Sequence, residues 1–338
     1  YLRVIEKIPN YDGTTEEPMV LPALLPMSLI IPQSGIAVAI STNVPSFSVE
    51  SIYKTISLML SKGKMPSAKW LAHNLEWTSA FGGKVITEKD DLIPIMETGY
   101  GRVEWECDYK YDGKSTVTIT GIPPGWNIES KIAAIAKEPY IAECAEQTDK
   151  GGLKIVIRFK RADEESMDEN MHKFKKHLRS AQTISNNCIV RRIKEDEGFK
   201  ETESDFKQRP ITDILKEWCA WRIDLEKKAL RYESKLVKEA IERDRLLEKT
   251  IDNLDVIFAL LKKKGIDKVK ELAKKMSITE EQSKFIWSIA VGRLDRLNMD
   301  SVQESIKKSK DRLRILKGKF ENPSVSVLDQ LKTMKLTA

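Results

Sequence analysis

The chain has 338 residues, of which 41% are hydrophobic and 32% are charged, and its 57 Lys and Arg exceed its 51 Asp and Glu to give a net charge of +6. This apolar share is enough to bury real cores, which excludes wholesale disorder, and the length predicts two or three domains. No apolar run reaches the roughly 20 residues that a membrane-spanning helix needs, and the first residues lack the pattern of a signal peptide. The four cysteines are scattered without a Cys-x-x-Cys pair, so we expect a cytoplasmic protein without a disulfide framework or a zinc site.

Residues 1–209 switch between helical and strand periodicity, which predicts an α+β domain. The predicted elements, in chain order, are a helix over 51–62, one strand over 102–110, an Asp-Gly hairpin turn over 111–114, a strand over 115–120, a helix over 127–137, a strand over 153–159 and a helix over 167–180.

The pattern changes at about Pro210, and neither Gly nor Pro occurs from Ile211 to Lys249. Apolar residues then recur every seven positions, as in a coiled-coil helix, which we predict over 210–250. A second apolar stripe predicts an antiparallel returning helix over 298–320, with a small helical knob over 251–297 and a tail over 321–338. The seam positions of the first stripe are Ile211, Trp218, Leu225 and Tyr232, with Ala229 and Leu236 between them.

Residues 10–43 read NYDGTTEEPMVLPALLPMSLIIPQSGIAVAISTN. This segment resembles the breakage–reunion subunit of type IIA DNA topoisomerases, the family that includes the A subunits of gyrase and topoisomerase IV and the phage medium subunit. Further motifs similar to those of the family follow in the family's order, and the resemblance extends to about residue 320. These motifs are GYGR at 99–102, GIP at 121–123, DKGGLKIVIRFKR at 149–161 and ITEEQSKFIWSIAVGRLDRL at 278–297.

The resemblance implies a tower domain over 1–209, a coiled-coil arm, and an exit-gate knob over 251–297 through which two copies pair. It implies a component of an ATP-dependent type II topoisomerase that acts on double-stranded DNA, and we expect relaxation or decatenation rather than supercoiling. The residues expected at the dimer interface are Phe285, Ile286, Ile289, Val291, Leu294 and Leu297.

The DNA contacts implied by the resemblance centre on Ile36, which would be a wedge pushed between base pairs. Gln33, Ser34, Thr42 and Asn43 are short polar groups suited to phosphate contacts near the wedge. Alternation along the strand over 153–159 places three cations on one face, where they would support the flanking duplex: Lys154, Arg158 and Lys160. From the residues alone, the apolar run around Ile36 favours a core residue over a wedge, and the basic strand is equally interpretable as a solvated sheet face.

No residue of this chain is assigned a catalytic role. The family's nucleophile is a tyrosine a few dozen residues before the NYDGT word, whereas only nine residues precede Asn10, and Tyr1 lacks the preceding arginine. No metal site is predicted, and Mg²⁺ and ATP are expected on a partner ATPase subunit, because no phosphate-binding GxxxxGK[ST] loop occurs. The alternative is a non-catalytic DNA-binding dimerisation protein that reuses the architecture.

Overall fold

A computed structural model describes residues 1–38, 40–148, 152–190, 205–265, 267–289 and 298–333. The chain divides into two compact units. The helical unit comprises Tyr1–Pro22 and Ile223–Val327, and the mixed unit comprises Ala23–Arg222 and Leu328–Ala338. The first 22 residues therefore group with the helical unit, although the sequence placed them with the tower domain.

The strands and helices are numbered here in chain order. The strands are β1 Lys7–Pro9, β2 Glu16–Pro18, β3 Gln33–Ala37, β4 Ile40–Val44, β5 Lys84–Val85, β6 Tyr100–Glu106, β7 Asp108–Tyr111, β8 Thr116–Gly121, β9 Ile141–Glu146, β10 Ile155–Phe159, β11 Arg179–Ser185, β12 Asn187–Val190 and β13 Asp205–Gln208. The helices are α1 Val49–Lys62, α2 Ala68–Asn74, α3 Ile93–Thr98, α4 Ile128–Ile135, α5 Glu164–Lys175, α6 Ile211–Asp252, α7 Leu254–Lys262, α8 Lys268–Met276, α9 Glu280–Ser288, α10 Met299–Glu321 and α11 Pro323–Thr333.

Two antiparallel sheets organise the mixed unit, which confirms the α+β class. One sheet has the strand order β7-β8-β10-β9, and the other has the order β3-β4-β11-β6-β5. The first sheet shares one buried cluster with residues of α4 and α5. Fully buried members of that cluster include Ile119, Ile155, Ile157, Ile135 and Phe174.

Several local predictions are confirmed, and their physical causes are visible. Helix α1 begins where the Ser48 hydroxyl accepts the Ser51 N–H, and it ends at Gly63, whose φ is +63°. In the β7–β8 turn, one oxygen of Asp112 accepts the N–H groups of three following residues, Lys114, Ser115 and Thr116. These backbone hydrogen bonds, that of Thr116 first, lower the pKa of Asp112 to about 2.

The single strand predicted over 102–110 is wrong, because it is two strands, β6 and β7, that belong to different sheets. The chain crosses between the sheets at buried Cys107, whose N–H donates to the Leu178 carbonyl at 2.9 Å. Asp108 then accepts the N–H of Gly83 at 2.6 Å. The two-residue alternation of residues 102–110 continues through the junction between β6 and β7. Alternation alone therefore does not reveal that the chain passes from one sheet to the other.

The helix predicted over 167–180 is shifted. Helix α5 begins earlier, where the Asp163 carboxylate accepts the Ser166 N–H, and it ends at Lys175. Residues from Arg179 onward instead form β11, which pairs with β6 over its whole length. Pairing with β6 therefore overrides the helical pattern at the end of this segment.

In the helical unit, α6 and α10 run antiparallel. Side-chain hydrogen bonds join the two helices, and residue numbers fall along α6 as they rise along α10. The pairs are Glu248 with Gln303 at 3.1 Å, Asp244 with Ser305 at 2.7 Å, and Glu233 with the Arg312 Nε at 3.0 Å. The predicted long helix and its returning partner are therefore both present, within two residues of their predicted bounds.

The buried stripe of α6 differs from the predicted seam. Leu236 is exposed and Tyr232 is half-buried, whereas Leu230 and Ile241 are buried. An α-helix has 3.6 residues per turn, so positions seven residues apart do not stay on one line. The contact face therefore rotates gradually around the axis of α6. The stripe also takes in Glu226, which accepts a hydrogen bond from the Ser326 hydroxyl at 2.7 Å.

Residues 251–297 form a small helical cluster as far as they are described. Helices α7, α8 and α9 share a core that includes Ile257, Leu260, Leu272 and Ile286. The tail predicted over 321–338 contains a further helix, α11, in which Val327 and Leu331 are fully buried. Among the described residues, no helix is both long and apolar enough to cross a membrane.

Candidate nucleic-acid interface

The β3–β4 hairpin is the feature on which the predicted DNA site depends. Its register pairs Ser34 with Asn43 and Ile36 with Ser41. Because directly opposed residues project from the same face of a sheet, these four share one face. Gln33 and Thr42 belong to the other face, so the predicted polar group is divided between the two sides of the hairpin.

Apolar side chains protrude at the tip of this hairpin. Ile36 is 94% exposed and Val38 is 97% exposed. The interpretation of Ile36 as a core residue is therefore wrong. Single exposed apolar residues are ordinary, whereas two nearly complete exposures at one tip form a small apolar patch.

The base of the hairpin is fixed to the five-stranded sheet by side-chain hydrogen bonds. The Asn43 amide donates to the Thr183 carbonyl at 2.7 Å, and its oxygen accepts from Gln182 at 3.1 Å. The Thr42 hydroxyl donates to the Ser185 carbonyl at 3.3 Å. Thr42 and Asn43 thus anchor the hairpin, whereas Ser34 remains exposed on the face of Ile36.

Aromatic packing reinforces this base just after β4. Phe47 meets Trp77 edge-to-face with ring centroids 5.0 Å apart, and Trp77 meets Trp105 in the same way at 6.3 Å. The Phe47 N–H also donates to the Leu29 carbonyl at 2.8 Å. The exposed tip therefore projects from a rigid support.

Sequence reasoning missed Ser41. This residue lies opposite Ile36 in the hairpin and is exposed, so its hydroxyl is placed beside the apolar tip. Its carbonyl accepts a hydrogen bond from the Asn187 amide at 2.8 Å, which holds the backbone in place. Only the pairing register identifies it, since no spacing in the sequence relates Ile36 to Ser41.

The predicted basic face of β10 is present. Lys154, Arg158 and Lys160 are exposed and alternate with buried Ile155 and Ile157. Two of the three cations already have protein partners: Arg158 pairs with Glu143 at 2.8 Å, and the Lys160 Nζ donates to the Pro139 carbonyl at 2.7 Å. An exposed ion pair of this kind is worth little, so Arg158 is available to exchange partners.

The expected interface residues of the knob behave differently. Ile286 is 1% exposed within the knob's own core, so its assignment to an interface is wrong. Phe285 and Ile289 are partly buried against the same core. Val291, Leu294 and Leu297 lie outside the described residues.

The environment of Tyr1 favours a structural role. Its hydroxyl donates a hydrogen bond to buried Glu226, within the helical unit. Within the described ranges, no three His, Cys, Asp or Glu side chains are grouped so as to hold a metal ion.

A family model that describes the A subunit of DNA gyrase and topoisomerase IV matches residues 2–332, and the chain belongs to this family. It is 25% identical over 336 residues to the A subunit of DNA topoisomerase 4 from Neisseria gonorrhoeae, covering 93% of this chain and 44% of that protein. It is also 25% identical over 336 residues to the A subunit of DNA gyrase from Kosmotoga olearia, covering 92% of this chain and 39% of that protein. The chain thus spans less than half the length of these relatives, and the resemblance predicted from residues 10–43 is confirmed.

Proposed function

We propose that this chain is part of a type II DNA topoisomerase and that its β3–β4 hairpin bends the duplex that is to be cut. The observation that carries the proposal is the 94% exposure of Ile36 on a hairpin anchored at its base. Inserting an apolar side chain at a base step costs a few kcal/mol of unstacking, which the contacts of a bent duplex offset. Ser34 and Ser41, on the same face, would contact the neighbouring phosphates.

The remaining elements have roles in the same proposal. The basic face of β10 supports the flanking duplex, and α6 with α10 forms the coiled-coil arm of an exit gate. Two copies pair through the knob over 251–297, and a partner subunit supplies ATP hydrolysis and Mg²⁺. The complex acts in the cytoplasm of a bacterial or phage-infected cell, relaxing or decatenating DNA rather than supercoiling it.

The hairpin is tested by measuring DNA bending with a short duplex that carries an energy-transfer dye at each end. Ile36→Ala removes most of the wedge volume, so we expect energy transfer on binding to fall towards that of the free duplex. Ile315→Ala is the matched control, because Ile315 is 51% exposed on α10 and belongs to the helical unit rather than to the hairpin.

Bending that is unchanged in Ile36→Ala, or equally reduced in both variants, would exclude the wedge. The enzymatic role is tested on a chain joined to a preceding segment that supplies the family's nucleophilic tyrosine, together with the partner subunit, DNA, Mg²⁺ and ATP. ATP-dependent strand passage supports the topoisomerase, whereas DNA binding and dimerisation without strand passage would support the non-catalytic alternative.

A further inference from the structure

Helix α10 carries an unbalanced charge that the proposed hairpin does not explain. Between Lys307 and Lys319 there are seven Lys or Arg residues and a single acidic residue, Asp311. The facing part of α6, from Ile223 to Asp252, has eight basic and eight acidic residues. The positive charge of this helix pair is therefore concentrated on α10.

Four of these cations follow one face of α10: Lys307, Lys310, Arg314 and Lys317, here called the α10 stripe. Their spacings of three, four and three residues place them in one row along the helix. The row is about 15 Å long at 1.5 Å per residue. All four residues are exposed, whereas α10 buries Val302, Ile306 and Leu316.

The surroundings of the α10 stripe leave most of this charge available. Arg314 lies 3.7 Å from Asp311, but its side chain is 85% exposed, so that ion pair is weak. Across the cleft, Arg245 of α6 lines the same surface as Lys307 and Lys310. Glu248 also lines this cleft, where its carboxylate accepts a hydrogen bond from Gln303.

The chemistry of the α10 stripe fits a regular polyanion. Double-stranded DNA carries about one negative charge per 1.7 Å of axis when both strands are counted, so a 15 Å length of duplex carries about nine phosphates, about four on each strand. An acidic protein is a poorer match, because protein interfaces are depleted in lysine and centred on aromatic and apolar residues, which the stripe lacks. The exposed apolar residue of this segment, Ile315, is not part of the row.

We propose that the α10 stripe, with Arg245 beside it, binds the sugar–phosphate backbone of duplex DNA without reading its sequence. The choice of DNA as the polyanion rests on the proposed function, but the site belongs to the helical unit and does not involve the hairpin. Its contribution is electrostatic and therefore falls as salt is raised.

The test compares two variants of the full chain that each lose two charges from α10. Lys310→Gln with Lys317→Gln removes half of the stripe. Lys308→Gln with Lys319→Gln is the control, because these exposed lysines lie eleven residues apart on another face. The control breaks an exposed ion pair of Lys308 with Glu304, which contributes little to stability.

Binding of a labelled duplex of mixed sequence is measured by fluorescence anisotropy between about 50 and 200 mM salt. For the stripe variant, we expect the slope of log affinity against log salt to become shallower by about 2, because each phosphate contact contributes about 0.9. The control should keep the parental slope. An unchanged slope in the stripe variant, or an equal change in both, would overturn the proposal, and the former is also the result expected if an acidic protein is the true partner.

Bending of the same duplex separates this proposal from the hairpin. The stripe variant should bend DNA as the parent does once binding is saturated. A shallower salt slope in the stripe variant together with normal bending in Ile36→Ala would support DNA binding by the α10 stripe and reject Ile36 as a wedge. A parental salt slope in the stripe variant together with lost bending in Ile36→Ala would reject DNA binding by the α10 stripe and support Ile36 as a wedge.

Discussion

Ile36 shows how the surroundings of one side chain decide whether it is buried or available to a partner. In the sequence it stands in an apolar run, where burial is the ordinary outcome. In the structure, the hairpin lifts it into solvent, while the polar residues at its base hold the strands to β11. Its apolar surface is therefore available for a partner at little cost to the fold.

We expect Ile36→Ala to change the free energy of unfolding by less than about 1 kcal/mol, since almost no burial is lost. Ile157→Ala is the comparison, because Ile157 is fully buried in the four-stranded sheet and its truncation should cost about 2–5 kcal/mol. Urea unfolding of both variants measures the difference. A loss of more than about 2 kcal/mol in Ile36→Ala would show that the side chain is part of the core.

At the scale of elements, Gly99 connects α3 to β6 and fixes the start of that strand. Its φ is +74°, its carbonyl accepts the Asn186 N–H at 2.8 Å, and a Cβ there would collide with the Arg209 carbonyl. Asn186 in turn donates through its side-chain amide to the Arg209 carbonyl at 2.6 Å. This glycine therefore lies where three segments of the mixed unit meet.

We predict that Gly99→Ala destabilises the mixed unit much more than Gly63→Ala does. Both glycines have positive φ, but apart from its chain neighbours no residue comes within 4 Å of a Cβ at Gly63. Gly63→Ala should therefore cost only the conformational strain of about 1–2 kcal/mol, whereas Gly99→Ala must also displace the backbone of Arg209. Thermal unfolding followed by circular dichroism tests this, and equal losses would mean that the close approach is not maintained in solution.

The elements also show where pattern reasoning stops. The hairpin turn at Asp112 and helix α1 depend on contacts within a few residues, so their composition predicts them. The division of residues 102–110 between two sheets depends on Gly83 and Leu178, which are distant in sequence. Contacts between residues so distant in sequence produce no periodic pattern, so the sequence does not predict them.

For the whole molecule, we predict a homodimer that pairs through the knob over 251–297. Ile286 already belongs to the knob's own core, so the paired surface must use other residues of this region. Val291, Leu294 and Leu297 stay as predicted contacts. Isologous pairing would bury the same patch on both copies.

Sedimentation at tens of micromolar measures the mass of the chain, for which we expect twice 38.6 kDa. Leu294→Asp should shift the chain to a monomer while leaving its helical content unchanged, because an unpaired charge in an apolar interface is costly. Lys284→Asp is the comparison at an exposed site of α9. A parental chain that sediments as a monomer would contradict the pairing.

The sequence by itself determined the family, the α+β class, the long helix with its returning partner, and the position of Ile36 as the residue to test. Each of these depends on short sequence motifs or on hydrophobic periodicity, which can be recognised in a single sequence. Only the tertiary structure decided that Ile36 is exposed, that Ser41 lies opposite it, and that Thr42 and Asn43 serve as anchors. Exposure and register are set by which distant strands pair, and the free energy of that pairing is shared among residues far apart in sequence.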